Sequence, residues 1–180
     1  MDVSFKRTGE RRYAVIVVIP GRNTQAMDPA PGYDDDIPHD LVHYIVEAEL
    51  RLFTGVFGRA AQGAGTFIAR DGHHASPRER ARLRRKQQRR EEGYRARDGS
   101  AHEMATSERL AALCDVAFRR SRGQRPDPRR AAPAAASAED AAKIERVVKR
   151  LDVLAPLWRA LPIGGELVFE WPSVEPRACF

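Results

Sequence analysis

Residues 11–19 read RRYAVIVVI and contain the longest apolar run in the chain. Alternate side chains of a β-strand point to opposite faces, so Tyr13, Val15 and Val17 would share one face. Ala14, Ile16 and Val18 would share the opposite face. Apolar residues on both faces predict a central strand, which requires a neighbouring strand along each edge.

Two further strands are predicted to belong to the same sheet. The first is residues 3–8, and the Gly9–Glu10 pair suits a type II′ hairpin turn into residues 11–19. The second is residues 166–171, where apolar residues alternate with glutamates. We therefore expect the two ends of the chain to meet in one small, mostly antiparallel sheet, with residues 166–171 paired to residues 11–19.

Amphipathic helices accompany the predicted strands. Apolar residues recur at helical spacing over residues 38–53 and, after Ser137, over residues 138–160. These two helices are predicted to cover one face of the sheet. A third helix begins at a capping box formed by Ser100 and Glu103, and the sequence leaves open whether it joins the core or docks loosely on it. The predicted fold class is therefore α+β.

The domain organisation follows from chain length and composition. A chain of 180 residues fits a single domain, 1–180. The predicted core comprises about residues 1–70 and 137–180, and a basic, partly disordered insertion at about 71–136 lies between them. Within this insertion, residues 123–136 form a Pro/Ala/Arg-rich linker without periodicity.

Cysteine content and hydropathy restrict the class of protein. The two cysteines, Cys114 and Cys179, provide neither a disulfide framework nor a cysteine-based zinc motif, and both are expected to be free thiols. No stretch approaches the roughly 18 to 20 apolar residues that span a bilayer, and the start of the chain lacks the pattern of a secretory signal. We expect a cytoplasmic protein without a membrane partner, and the sequence leaves its oligomeric state open.

Positive charge is concentrated in one segment. Residues 77–97 contain ten basic and three acidic side chains, a local net charge of +7 in a chain whose total is +6. A capping box formed by Ser76 and Glu79 predicts a basic helix within residues 76–97, with almost no apolar face. Contacts with nucleic-acid phosphates or with an acidic protein surface are predicted for six residues: Arg78, Arg82, Arg85, Lys86, Arg89 and Arg90. The alternative is a solvated charged helix in a passive insertion.

A candidate metal site lies on the predicted helix at residues 38–53. His39, His43 and Glu47 fall within a stripe of about 80° on one helix face, so two imidazoles and a carboxylate would point to one place. The His-Asp-x-x-His spacing resembles the HExxH motif of zinc hydrolases, with Asp40 at the position of the general-base glutamate. This resemblance implies zinc as a cofactor. Alternatively, the histidines are boundary residues of an apolar helix face, each hydrogen-bonded to a neighbour.

Glu49 is a further candidate because the helical wheel places its carboxylate near the middle of the apolar arc. A buried carboxylate requires a partner or a raised pKa, and Arg12, Arg51 or Arg59 could provide the partner. Alternatively, the helix bends and leaves Glu49 exposed. Asp40 and Glu49 are therefore the candidate catalytic residues.

Three functions are compatible with these features. The first is a non-catalytic binding or regulatory protein that contacts nucleic acid or an acidic partner through the basic helix. The alternative is a metal-dependent hydrolase that uses the His-Asp-x-x-His helix. The third is a purely structural role in which the insertion is passive, so the sequence leaves open whether the protein is an enzyme.

Overall fold

The computed structural model describes residues 1–63, 67–69, 100–125 and 136–179, together with residues 78, 82, 85 and 89. These residues contain six strands: β1 (Asp2–Gly9), β2 (Arg12–Val18), β3 (Gln25–Met27), β4 (Ile68–Ala69), β5 (Glu166–Glu170) and β6 (Pro176–Cys179). The strands form one sheet in the order β4-β3-β2-β1-β5-β6, and every neighbouring pair is antiparallel. The α+β prediction is confirmed.

The predicted N-terminal hairpin is present, with its turn shifted by one residue. Gly9 pairs with Arg12, so the turn residues are Glu10 and Arg11 instead of Gly9 and Glu10. The register of the ladder shifts between Arg7 and Gly9. Between these two pairs, β1 has one residue more than β2, so β1 extends to Gly9.

The predicted partner of the C-terminal strand is wrong. β5 pairs with β1, from Asp2 opposite Glu170 to Lys6 opposite Glu166, and does not pair with β2. The second neighbour of β2 is β3, which is only three residues long. Polar and apolar residues alternate over the first five residues of β1. In the structure its apolar residues Val3 and Phe5 enter the core, and its polar residues lie on the opposite face.

The structure describes four helices: α1 (His39–Leu50), α2 (Val56–Ala61), α3 (Ser100–Ser121) and α4 (Ala138–Ala160). Phe5 of β1 packs edge-on against Tyr44 of α1, and Tyr13 of β2 packs edge-on against Trp158 of α4. α1 and α4 therefore cover one face of the sheet, as predicted. None of the helices in the described ranges is long and apolar enough to span a membrane.

α3 belongs to the core, which answers the question that the sequence left open. It packs against both α1 and α4, and it buries Leu110, Cys114 and Phe118 in the same hydrophobic cluster as the sheet residues. The thiol of Cys114 is free and buried. Residues of α3 are thereby brought beside the candidate site on α1.

The predicted basic helix and linker fall mostly outside the described residues. Of residues 76–97, the structure describes residues 78, 82, 85 and 89. Of residues 123–136, it describes 123–125 and 136. The helix and the disordered linker therefore stay predictions.

Candidate functional site

α1 carries the three candidate metal ligands on one helix face, as their spacing of four residues predicts. His43 and Glu47 are buried, with 4% and 0% of their surface exposed, whereas His39 is partly buried. His43 Nε2 lies 3.2 Å from His39 Nε2, and the two rings meet edge-to-face with their centroids 4.5 Å apart. The structure therefore brings the two histidines together at their Nε2 atoms.

α3 adds two residues that the sequence analysis did not select. Ser107 is fully buried, and its Oγ lies 3.3 Å from His43 Nδ1 and donates a hydrogen bond of 2.9 Å to Glu47 Oε1. Glu108 Oε2 lies 3.6 Å from His43 Nε2, and 60% of the Glu108 side chain is exposed. We refer to these five residues, His39, His43, Glu47, Ser107 and Glu108, as the α1–α3 polar network.

The hydrogen bonds of Ser107 favour a proton on Nδ1 of His43. A serine hydroxyl has a single proton, and Ser107 donates it to Glu47 Oε1. The Ser107 oxygen then accepts the proton of His43 Nδ1. The other ring nitrogen of His43, Nε2, faces His39 and Glu108.

The Glu47 carboxylate also binds the start of α2. The backbone N–H groups of Val56 and Phe57 donate to its two oxygens at 2.7 and 2.8 Å, and the N–H of Gly58 approaches Oε2 at 3.5 Å. The first N–H groups of a helix lack an intrahelical partner, and this carboxylate satisfies them. Gly55 permits the approach, because a Cβ at this position would lie 2.3 Å from Glu47 Cδ. Both oxygens of Glu47 are thus engaged with α2 and Ser107.

The two candidate catalytic carboxylates tie helices to the rest of the scaffold. Asp40 Oδ2 accepts a hydrogen bond from the Tyr13 hydroxyl, which connects the start of α1 to β2. The Glu49 side chain is 17% exposed, and its oxygens lie 3.6 Å from the Nε atoms of Arg146 and Arg150 on α4. These partners differ from the three arginines considered in the sequence analysis, because α4 packs against α1 at this position.

A second buried polar cluster lies nearer the C-terminal end of α3. Arg119 Nε donates to the Asp115 oxygens at 3.1 and 3.2 Å, and Arg119 Nη2 donates to Asp34 Oδ2 at 2.7 Å. Asp115 and Arg119 are 2% and 8% exposed. Burial acts to raise the pKa of Asp34, but the hydrogen bonds from Arg119 and from the Asp36 N–H outweigh it and lower this pKa. The cluster joins the loop before α1 to α3.

Four of the six candidate nucleic-acid contacts are described as helical and exposed: Arg78, Arg82, Arg85 and Arg89. Successive members are four, three and four residues apart, and side chains at this spacing share one face of a helix. The remaining two candidates, Lys86 and Arg90, lie outside the described residues. The structure therefore provides an exposed arginine set, which we refer to as the arginine face.

Among the residues that the structure describes, no group of three or more His, Cys, Asp and Glu side chains is placed to hold a metal ion. Comparisons of the chain with protein-family models, with curated proteins and with solved structures find no match. Zinc binding stays a prediction. Any proposal about function is therefore argued from the sequence and structure of this protein.

The contribution of α3 to the site has a partial signal in the sequence. Ser107 lies three residues before Leu110 and seven before Cys114, so a helical wheel places it within the apolar stripe. A small polar residue at such a position indicates a buried hydroxyl that requires a partner. Glu108 and Arg119 have no comparable signal, because their partners come from segments distant in sequence.

Proposed function

We propose that this protein binds nucleic acid through phosphate contacts made by the arginine face. The observation that supports the proposal is that all four arginines are helical and exposed, and their spacing of three or four residues is typical of one helix face. A guanidinium is planar and donates two parallel hydrogen bonds to a phosphate. Four such groups in a row favour contact with a regular phosphate backbone, independent of base sequence.

The distribution of charge also favours a polyanion at this segment. Several exposed arginines outside residues 77–97 are paired with carboxylates, including Arg11 with Asp35 and Arg12 with Asp28. The rest of the chain therefore neutralises much of its own charge, whereas residues 77–97 carry a net charge of +7. Long-range attraction of phosphates would be directed to that segment.

Duplex nucleic acid suits this surface better than unpaired bases. Proteins that bind single strands without sequence preference stack successive bases on aromatic side chains. Residues 77–97 contain one aromatic residue, Tyr94. The proposed role is non-catalytic, since the contacts of Asp40 and Glu49 with Tyr13 and with α4 are those of structural carboxylates.

We expect the fourfold variant R78Q/R82Q/R85Q/R89Q to lose most of the salt-dependent affinity for duplex DNA. If each arginine neutralises one phosphate, the affinity of the unmodified protein should fall about 100-fold between 50 and 200 mM salt. The affinity of the variant should be lower at 50 mM salt and should change far less over the same range. Fluorescence anisotropy with a labelled duplex of random sequence measures both quantities.

A matched control removes the same number of charges from the scaffold. Its four positions have side chains that are 74%, 56%, 58% and 56% exposed: Arg11, Arg12, Arg146 and Arg177. The fourfold glutamine variant of these residues should keep most of the duplex affinity. Equal losses in both variants would indicate an effect of net charge alone. Failure of the unmodified protein to bind at low salt, or binding of polyglutamate in preference to DNA, would contradict the proposal.

A further inference from the structure

The side of α4 that faces away from the core changes from charged to apolar along the helix. At about 100° per residue, Val153 points about 160° away from both Leu151 and Ala155, which are buried. In the second half of α4, the residues on this outward side are apolar: Val153, Pro156, Leu157 and Ala160. Their spacing is the i, i+3, i+4 and i+7 pattern of one helix face. In the first half, the same side carries charged residues: Glu145, Arg146 and Lys149.

These apolar residues lie at the protein surface. Val153 is 60% exposed, Pro156 and Ala160 are exposed, and Leu157 is partly buried. Ile163, just beyond the end of α4, is also 60% exposed. Single exposed apolar residues are common, whereas a contiguous set on one face marks a docking surface. We refer to Val153, Pro156, Leu157 and Ala160 as the α4 apolar stripe.

We propose that the α4 apolar stripe binds the same stripe of a second copy of this chain, with the two α4 helices antiparallel about a twofold axis near Pro156. In such an interface one surface provides both partners, and every contact occurs twice. The small side chains of Pro156 and Ala160 favour it, because they let the two helix axes approach to the roughly 8 to 10 Å of packed helices. The dimer goes beyond the proposed nucleic-acid contact, and it would carry two arginine faces.

The charges beside the α4 apolar stripe are complementary to each other under this symmetry. Asp152 and Arg159 are seven residues apart, which is almost two full turns, so both lie on the same flank of the stripe. In an antiparallel pair with twofold symmetry, this flank faces the same flank of the second copy. An axis between Ala155 and Pro156 places Asp152 of each copy opposite Arg159 of the other. The midpoint of the stripe lies one residue further along, so one axis suits both the apolar and the charged contacts.

Both charged side chains are accessible for a contact between copies. The Asp152 side chain is 46% exposed and the Arg159 side chain is 49% exposed. Each also has a partner within the chain, since Asp152 lies 3.1 Å from Arg122 and Arg159 lies 3.5 Å from Asp36. A carboxylate accepts several hydrogen bonds and a guanidinium donates several, so the contacts within the chain are compatible with a second partner. The pairs between copies would fix the register of the two helices.

The cations nearest to the α4 apolar stripe are compatible with this register. Lys149 and Arg150 would lie opposite Pro162 and Leu161 of the second copy, so neither cation faces another cation. The pairing of one helix from each copy buries less than the total of about 1,600 Å² that is typical of a stable interface. We therefore expect a dimer with a dissociation constant in the micromolar range or weaker.

Two charge-reversal variants of the full chain test this proposal. D152R and R159D each place like charges opposite one another in the dimer, and each should weaken self-association by about tenfold or more. An equimolar mixture should associate again, because the basic flank of D152R then faces the acidic flank of R159D. Analytical ultracentrifugation over a concentration series, without nucleic acid, measures the dissociation constants. Both positions are exposed, so the variants should fold, and circular dichroism verifies this.

Two exposed valines provide a matched pair for the apolar contact. Val153→Lys should weaken self-association by about tenfold or more, because it buries a cation in the middle of the interface. Val18 is exposed on β2, away from α4, and Val18→Lys should leave self-association unchanged. An unmodified chain that stays monomeric at near-millimolar concentration would overturn the proposal. A dimer that tolerates Val153→Lys would do the same, as would a mixture of D152R and R159D that associates no better than either variant alone.

Discussion

An Arg119→Met variant is expected to lose about 3 to 5 kcal/mol of unfolding free energy, because it leaves a buried carboxylate without its counterion. Asp115 is 2% exposed and receives two hydrogen bonds from Arg119, which also binds Asp34 at 2.7 Å. Methionine fills a similar volume, so the loss reports on charge and hydrogen bonding more than on packing. Urea denaturation at neutral pH measures the effect.

Two further variants separate this effect from general damage to α3. Arg120→Met alters the exposed neighbouring position and should change stability by less than about 0.5 kcal/mol. Adding Asp115→Asn to Arg119→Met removes the buried charge of Asp115 and should restore a large part of the lost stability. A loss below about 1 kcal/mol for Arg119→Met alone would show that the cluster contributes no more than a surface ion pair.

The stability difference between Glu47→Gln and the unmodified protein is expected to change by about 3 kcal/mol between pH 4.5 and pH 8. Burial raises the pKa of Glu47 to about 7 from an ordinary value of 4.5, against the opposing hydrogen bonds of Phe57, Ser107 and Val56. The folded protein therefore holds the Glu47 proton more tightly than the unfolded chain does. This contribution to stability is complete below about pH 4.5 and is lost as the pH rises through 7.

Glutamine is neutral at every pH, but its one amide oxygen replaces two accepting oxygens, so one donor at the start of α2 loses its acceptor at every pH. This loss adds a constant offset, and the stability of Glu47→Gln relative to the unmodified protein should still rise by about 3 kcal/mol from pH 4.5 to pH 8. Denaturant titrations in the presence of a chelator, at several pH values, measure this difference. A difference that is constant over the whole range would mean that Glu47 stays ionised in the folded protein.

Glu145 provides a matched control for the pH experiment. It lies exposed on α4, and a hydrogen bond from Lys149 lowers its pKa below the ordinary value. A lowered pKa has the opposite effect on stability to the raised pKa of Glu47. The Glu145→Gln variant should therefore not gain stability relative to the unmodified protein as the pH rises from 4.5 to 8.

Periodicity alone was sufficient to predict the long elements. The helices at Ala138–Ala160 and Ser100–Ser121 and the strands β1, β2 and β5 were all expected, since each contains several repeats of its pattern. β3 was missed because three residues do not establish an alternation. The pairing of β5 with β1 was missed because strand neighbours depend on contacts between distant segments, which a pattern within one segment does not determine.

The same limit applies to the candidate site. The spacing of His39, His43 and Glu47 correctly placed them on one helix face, but a helical wheel does not show what lies opposite that face. Glu47 turns to α2 because Gly55 allows the close approach of its carboxylate. The carboxylate that lies 3.6 Å from His43 Nε2 comes from Glu108, 65 positions beyond His43 in the chain.

The position of β1 between β2 and β5 affects how the protein is made. Asp2 pairs with Glu170, so the middle of the sheet gains its second partner from a segment 168 positions later. While the intervening chain leaves the ribosome, the outer edge of β1 has unpaired N–H and carbonyl groups. The open edge of a strand can pair with a wrong strand, and strands that are far apart in sequence pair slowly. Nascent chains that stall before residue 166 would therefore expose an edge of the hairpin to chaperones or to a second nascent chain.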